Sequence, residues 1–264
     1  MTPSKRRLKN VLFFCRPSVP IYFNDPVKYT VRSRASWVRF IIGCLPRSLG
    51  KPFMTVHVSE RIVEIPFVFA NLRVPKGSTI VDLGCAESKL SLELANRGFK
   101  VLASDLRPYR FEHPNLKTLT GDFAAAHVEE ASVDAVVAVS TLEHIGLTCY
   151  ERCSEMSSDH AVVQKVRSVL KPGGQFLLTV PYGVKNRTDW YRVYDQPTLE
   201  TLLADFEIEK AEYYHRTGSS TWEETSERCA AAIVSPVETN CVALVAAVVR
   251  KGPGEHPSRA SVET

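Results

Sequence analysis

A doubly wound α/β sheet is the fold this chain predicts. Two observations carry that expectation: short β-branched apolar runs alternate with helical stretches from Ser78 onward, and turns bearing glycine or proline punctuate them. At 264 residues the chain can bury one full core and need not divide further. Hydrophobic residues at 44% and charged residues at 23% are the usage of an ordinary globular protein, which excludes a disordered or fibrous one. The expected organisation is a basic N-terminal extension over 1–50, a core domain over 51–250 and a disordered tail over 251–264, rich in Pro, Gly and Ser.

The elements follow in order. Ser36 to Cys44 has the pattern of a short amphipathic helix. From Val58 to Leu72 apolar residues recur at Ile62, Ile65, Val68, Phe69 and Leu72, a helical spacing that Pro66 should kink. Ser78 to Gly84 (STIVDLG) then reads as a strand, and Glu87 to Arg97 as a helix stopped by Gly98. Lys100 to Ser104, Leu116 to Leu119, Val133 to Val139 and Gln175 to Val180 repeat the strand signal. A helix over His160 to Leu170 ends at Lys171-Pro172-Gly173-Gly174, read as a turn. Thr198 to Leu203 is a further helix, and Phe206 to Tyr214 and Asn240 to Val249 are the last two strands.

Charge is distributed unevenly. The net charge is only +4, yet residues 1–51 hold eleven Lys or Arg and one acid, Asp25. Such asymmetry marks either contact with an anionic partner, nucleic acid among them, or a solvated tail. The apolar run Trp37 to Leu45 is broken by Arg39 and closed by Pro46, well short of the roughly 20 residues a bilayer span requires. Val11 to Cys15 is too brief for a secretory signal, so a cytoplasmic location is expected. Seven cysteines at scattered spacings imply reduced thiols. Cys149 and Cys153 can share a helix face, but no nearby pair completes a tetrahedral metal site, and no metal is expected.

In an open parallel sheet ligands bind beyond the carboxyl ends of the strands. Gly84 sits where the first core strand turns into its helix, and the missing side chain lets a ligand approach the backbone. Asp105 ends the next strand roughly 20 residues on, where an acid accepts hydrogen bonds from a ribose diol. A turn-forming Asp before Leu-Arg-Pro is the competing reading. These two residues fit a nicotinamide enzyme as well. The loop discriminates: a dinucleotide fingerprint needs glycines where Ala86 and Lys89 stand, so no diphosphate cradle is expected.

VDLGCAES (Val81 to Ser88), SDLRPY (Ser104 to Tyr109), TGDF (Thr120 to Phe123), VSTLEHIG (Val139 to Gly146) and LKPGGQFLLTVPYG (Leu170 to Gly183) together resemble, in order, the motifs of class I S-adenosylmethionine-dependent methyltransferases. The resemblance spans about Thr55 to Val249 and departs from the family pattern at Ala86 and Ser88, where glycines are usual. It implies a Rossmann-like, seven-stranded, mostly parallel sheet with helices on both faces and an antiparallel final strand. It implies S-adenosyl-L-methionine as cofactor, with Asp82 as the acid of the first motif and the backbone of Gly84, Cys85 and Ala86 facing the methionine end. Asp105 and Leu106 would meet the ribose, Asp122 the adenine amino group and Phe123 its ring, with Ser140 beside them. For Asp122 a helix cap before Phe123 is the competing reading.

Glu143 and His144 lie nearest the transferring methyl, and transfer to a hydroxyl benefits from a base that titrates in the range of His. The alternative is that both merely hold the loop. NRTDWYRVY (Asn186 to Tyr194) has the composition of a lid over a polar ring, with Trp190, Tyr191 and Tyr194 as stacking surfaces and Arg192 as a polar partner. Tyr182 joins them as a substrate-side residue, and the competing reading is that the stretch packs the following helix. The resulting expectation is an enzyme that methylates a small-molecule acceptor, a hydroxyl of a sugar or natural-product intermediate. An RNA methyltransferase using the basic segment and a catalytically silent binding subunit are the alternatives.

Overall fold

The computed structural model describes residues 27–31, 54–86, 88–147, 157–218, 220–234 and 240–249. The helix expected over Ser36–Cys44, all but residues 27–31 of the basic extension, Cys149, Cys153 and the tail lie outside the described residues.

Strands β1 (Val27–Val31) and β2 (Met54–Val58) pair antiparallel, with Val27 opposite Val58. Helix α1 (Arg61–Asn71) follows and runs through Pro66. Proline has no N–H for the Ile62 carbonyl, but Ile62 and Pro66 are both exposed, so water can take that bond.

The core alternates as expected: β3 (Thr79–Leu83), α2 (Leu90–Asn96), β4 (Lys100–Asp105), β5 (Leu116–Thr120) and β6 (Val133–Val139). Then come α3 (Asp159–Val169), β7 (Leu170–Pro181) and a small ribbon of β8 (Asn186–Arg187) with β9 (Arg192–Val193). Helix α4 (Gln196–Leu202), β10 (Phe206–Arg216), β11 (Trp222–Thr225), α5 (Glu227–Ala231) and β12 (Cys241–Val249) complete it.

The main sheet has the order β11-β10-β12-β7-β6-β3-β4-β5. Pairings among β3 to β7 are parallel, and β12 runs antiparallel to both β7 and β10, so the final strand is the reversed one. Beyond the expected seven strands, β11 adds an eighth, antiparallel to β10. The chain leaves β3 toward β4 and β5, then crosses back to β6, which makes the β3–β6 boundary the switch point where a crevice must open.

Two expectations need correction. The strand expected from Gln175 begins at Leu170, because Val133 pairs with Leu170 and Ala135 with Gln175. Lys171 to Gly174 therefore bulge out within the strand opposite Asp134, rather than forming a free turn. Helix α2 begins at Leu90, not Glu87, because the Ser88 hydroxyl accepts from the Leu90 N–H at 3.0 Å and Lys89 is the capping residue.

Both faces of the sheet are covered. Val81, Val136, Phe176 and Leu178 pack with Val162 and Val166 of α3 and Leu199 of α4 on one side. Ile80, Val101, Ala135, Val137 and Leu177 pack with Phe67 and Val68 of α1 and Leu90 and Leu94 of α2 on the other. Each fully buried Val or Leu stabilises the fold by about 1.5–3 kcal/mol, so the two covers hold the strand ends in fixed relation. Among the described residues no helix is long and apolar enough to cross a membrane.

Candidate functional site

At the switch point the carboxyl ends of β3 to β7 surround a cavity of about 450 Å³, within the roughly 300–1,000 Å³ usual for small-molecule sites. Its floor is Gly84, which adopts φ +81. An added Cβ there would lie 2.2 Å from Thr141 Oγ1, so only glycine lets the first loop and the loop after β6 meet.

Three amides of the loop after β3 are already bonded within the protein. Ala86 N–H donates to Asp105 Oδ2 at 3.0 Å, Ser88 N–H to the Cys85 carbonyl at 2.9 Å, and Leu90 N–H to the Ser88 hydroxyl. A phosphate needs these donors vacant and meets a carboxylate instead, so the crevice suits a ligand without a diphosphate. Asp105 also accepts from Arg107 N–H at 2.9 Å, which fixes its carboxylate on the cavity wall beside Leu106. Asp122 realises the cap: its Oδ1 accepts from Ala124 N–H at 2.9 Å at the start of the short 3₁₀ turn Phe123–Ala125, and its Oδ2 accepts from Ser157 N–H at 3.1 Å. It lines the cavity as well, together with the buried Phe123.

Ser140 is held at φ +41, a region that non-glycine residues rarely enter. That geometry brings its hydroxyl into a buried network with α1. Ser140 Oγ donates to Glu64 Oε1 at 2.7 Å and accepts from Arg61 Nη1 at 2.6 Å, while Arg61 also pairs directly with Glu64. Burial alone would lower the Arg61 pKa, but Glu64 and Glu60 outweigh it and raise it, so the guanidinium stays charged. Glu60 carries the opposite balance, its carboxyl pushed up by burial against the pull of Arg61. Arg61, Glu60 and Ser140 line the cavity, as does Arg216, which rests over the Trp222 ring at 5.0 Å. Sequence reasoning missed Glu60, Arg61, Glu64 and Arg216. The available signal was a set of charged positions at the start of an otherwise apolar helix.

The 3₁₀ turn Leu142–His144 after β6 carries the proposed base. His144 Nδ1 lies 2.6 Å from the Trp190 carbonyl oxygen, and since a carbonyl only accepts, Nδ1 bears the hydrogen. The other ring nitrogen, Nε2, is 3.8 Å from Glu143 Oε1. Trp190 packs edge-on against the imidazole at 5.6 Å, and Glu143, His144 and Trp190 all face the cavity.

Several expected residues stand elsewhere. Asp82 is buried behind the loop and accepts from Ser91 Oγ at 2.5 Å, with burial raising its pKa to about 7. Cys85 packs with Ala103 and Tyr109, and neither it nor Ala86 lines the cavity. Tyr182 is a core residue whose hydroxyl donates to Glu227 Oε1 at 2.6 Å. Tyr191, Arg192 and Tyr194 do not line the cavity either. The ribbon stacks no ring surface there apart from Trp190, because β9 is drawn under the Leu142–His144 turn: Arg192 donates to the Ile145 carbonyl at 2.7 Å and Tyr194 reaches the Leu142 carbonyl at 3.2 Å. Among the described residues no group of His, Cys, Asp or Glu is arranged to hold a metal ion.

Comparison with known proteins bears on this geometry. Residues 81–178 match the family model described as a methyltransferase domain. The ubiquinone biosynthesis O-methyltransferase of Xanthomonas axonopodis pv. citri (strain 306) is 29% identical over 117 residues, 44% of this chain and 48% of that protein. The chain thus matches about half the length of such curated relatives. Among solved structures, the 1,6-didemethyltoxoflavin-N1-methyltransferase of Burkholderia thailandensis, with bound 1,6-didemethyltoxoflavin and S-adenosylhomocysteine, superposes with a TM-score of 0.50 at 14% identity, over 73% of this chain and 80% of that one. The N-methyltransferase NodS of Bradyrhizobium japonicum WM9 gives a TM-score of 0.50 at 16% identity, over 73% and 88%. At such identities the structural likeness is one of fold.

Proposed function

Because the chain carries a methyltransferase domain of the class I, S-adenosylmethionine-dependent kind, we propose that it methylates a hydroxyl of a small-molecule acceptor, a sugar or natural-product intermediate, with His144 as the base. The observation that carries this reading is the hydrogen bond from His144 Nδ1 to the Trp190 carbonyl, which assigns the hydrogen to Nδ1 in a residue that lines the cavity. Bound in the cavity, S-adenosylmethionine supplies a methyl group activated by its sulfonium.

The residues present suit that donor. Asp105 accepts from the ribose hydroxyls with the lone pairs that Ala86 and Arg107 leave, and Asp122 accepts from the adenine amino group above Phe123. The Gly84 backbone faces the methionine end, and Arg61 is the buried cation available to its carboxylate. On the acceptor side Trp190 and His144 form a wall that holds a hydroxyl in line with the methyl group, and alignment of this kind supplies much of the rate. As the new C–O bond forms, the hydroxyl proton passes to His144 Nε2 and S-adenosylhomocysteine is the leaving product.

The test has two arms. Calorimetry should find binding of S-adenosylhomocysteine and none of NAD, and absence of the first would overturn the donor site. Incubation of a native extract with methyl-labelled donor should place the label in the small-molecule fraction and His144→Gln should abolish it; label confined to protein or RNA would overturn the acceptor class.

A further inference from the structure

The ribbon residues that stand away from the cavity are not idle. Arg192 and Tyr194 grip both ends of the turn that carries Glu143 and His144. Arg192 Nη2 donates to the Ile145 carbonyl at 2.7 Å, just after the turn, and Tyr194 Oη lies 3.2 Å from the Leu142 carbonyl at its start. Both are in turn anchored on one carboxylate: the single Tyr194 hydroxyl hydrogen is shared between the Leu142 carbonyl and Asp159 Oδ2, the latter at 2.9 Å, and Asp159 pairs with Arg192 Nη1. Asp159 opens α3, whose Val162, Val163, Val166 and Val169 are fixed in the core. All three polar residues are buried or nearly so.

On the same ribbon, Trp190 provides the carbonyl that receives the His144 Nδ1 hydrogen. The turn and the acceptor of its hydrogen bond are thus held in register by one cluster rooted in α3. We propose that Arg192, Tyr194 and Asp159 are positioning residues that keep His144 in the Nδ1–H tautomer, with Nε2 as the basic nitrogen. The inference rests on the reading of His144 as the base.

The chemistry of the cluster suits a fixed strut. Burial, with Asp159 adding to it, holds the Tyr194 phenol far above its ordinary pKa, so it remains a donor across the working range. Burial works against the Arg192 charge, but the Asp159 carboxylate paired with it raises its pKa, so that partner also keeps its protons. Arginine spans two acceptors with one planar fork, which lysine cannot reproduce.

Tyr194→Phe and Arg192→Lys test this in the full chain. Long-range proton–nitrogen NMR of ¹⁵N-histidine-labelled protein reads the tautomer, with His144 assigned by the signals missing from His144→Gln. The unaltered protein should show Nδ1–H. Each strut variant should shift the tautomer ratio about tenfold toward Nε2–H, the loss expected when one net hydrogen bond is weakened. S-adenosylhomocysteine affinity by calorimetry should stay within about twofold, since the strut lies outside the cavity and such a ratio is under half a kcal/mol. An unaltered tautomer in Tyr194→Phe and Arg192→Lys would overturn the strut, and so would a loss of S-adenosylhomocysteine affinity equal to the tautomer change, which marks general loosening. Methyl transfer by His144→Gln separates the two readings: unchanged transfer overturns the base and leaves the strut without a catalytic purpose, whereas lost transfer with an unaltered tautomer in the strut variants overturns the strut alone.

Discussion

Gly84→Ala is the sharpest test of the geometry at the switch point. Two costs add. An L residue with a side chain pays about 1–2 kcal/mol to hold the left-handed φ of +81. The new methyl would also sit 2.2 Å from Thr141 Oγ1 and 2.5 Å from its Cγ2, an overlap of the kind that costs about 1–3 kcal/mol in a packed interior. The expected destabilisation is therefore about 2–5 kcal/mol, a large share of the roughly 5–15 kcal/mol that holds a domain folded. A double-mutant cycle separates the two parts. Thr141→Ala alone removes a hydroxyl placed 3.1 Å from the Leu83 carbonyl and 3.0 Å from that of Val139, which costs about 1 kcal/mol. In the Gly84→Ala/Thr141→Ala protein the two closest overlaps are gone and only the contact with Cβ of residue 141, at 2.9 Å, must still give way, while the backbone strain stays. Equilibrium unfolding in urea should then give a favourable coupling of about 1–3 kcal/mol. Additivity within about 0.5 kcal/mol, or a Gly84→Ala cost below about 1 kcal/mol, would refute the close approach of these two loops.

Glu64→Gln leaves the buried Arg61 guanidinium without its main counter-charge, and breaking such a pair costs about 3–5 kcal/mol; urea unfolding that moves by less than about 1 kcal/mol would contradict the network. Asp82, raised by burial from 3.8 to about 7 despite the Ser91 hydroxyl, favours its protonated form when folded, so the stability it contributes is complete below about pH 4 and lost as pH climbs through 7. Asp82→Asn should therefore flatten the fall in stability between about pH 4 and 8 by at most about 4 kcal/mol, and parallel curves for the two proteins would dismiss the buried carboxyl. Asp105→Ala removes a charged acceptor from the cavity wall and the tie to Ala86, and S-adenosylhomocysteine affinity should drop about 10- to 100-fold by calorimetry; an unchanged affinity would place the ribose elsewhere.

What the sequence determined by itself is what local pattern and hydrophobicity determine. The run VDAVVAV is β6 at both of its ends, because seven consecutive residues that are nearly all apolar have no other way to be buried on both faces of a sheet. Gly84 and Asp105 stood out because strand ends in this topology converge on one crevice, whereas Asp122 and His144 were named with the family resemblance in hand; all four line the cavity. The turn signal at Lys171-Pro172-Gly173-Gly174 was real but misjudged in extent, since Leu170 regains pairing with Val133 and only the sheet can show that.

The tertiary structure alone decided the rest. Arg61 and Glu64 meet Ser140 across 79 and 76 residues of chain, and no periodicity in α1 announces a partner on another strand. Strand β11 is four residues long and half exposed, too short to be told from a loop until β10 lies beside it. The ribbon at Asn186–Tyr194 has the composition of a ligand lid, yet Tyr194 and Arg192 turn away from the cavity because Asp159, at the start of a buried helix, offers them a carboxylate. Composition records which groups can bond. Which partner each finds depends on distances that exist only after the helices have docked on the sheet, because a buried charge or hydroxyl must be satisfied by whatever the packing brings within reach.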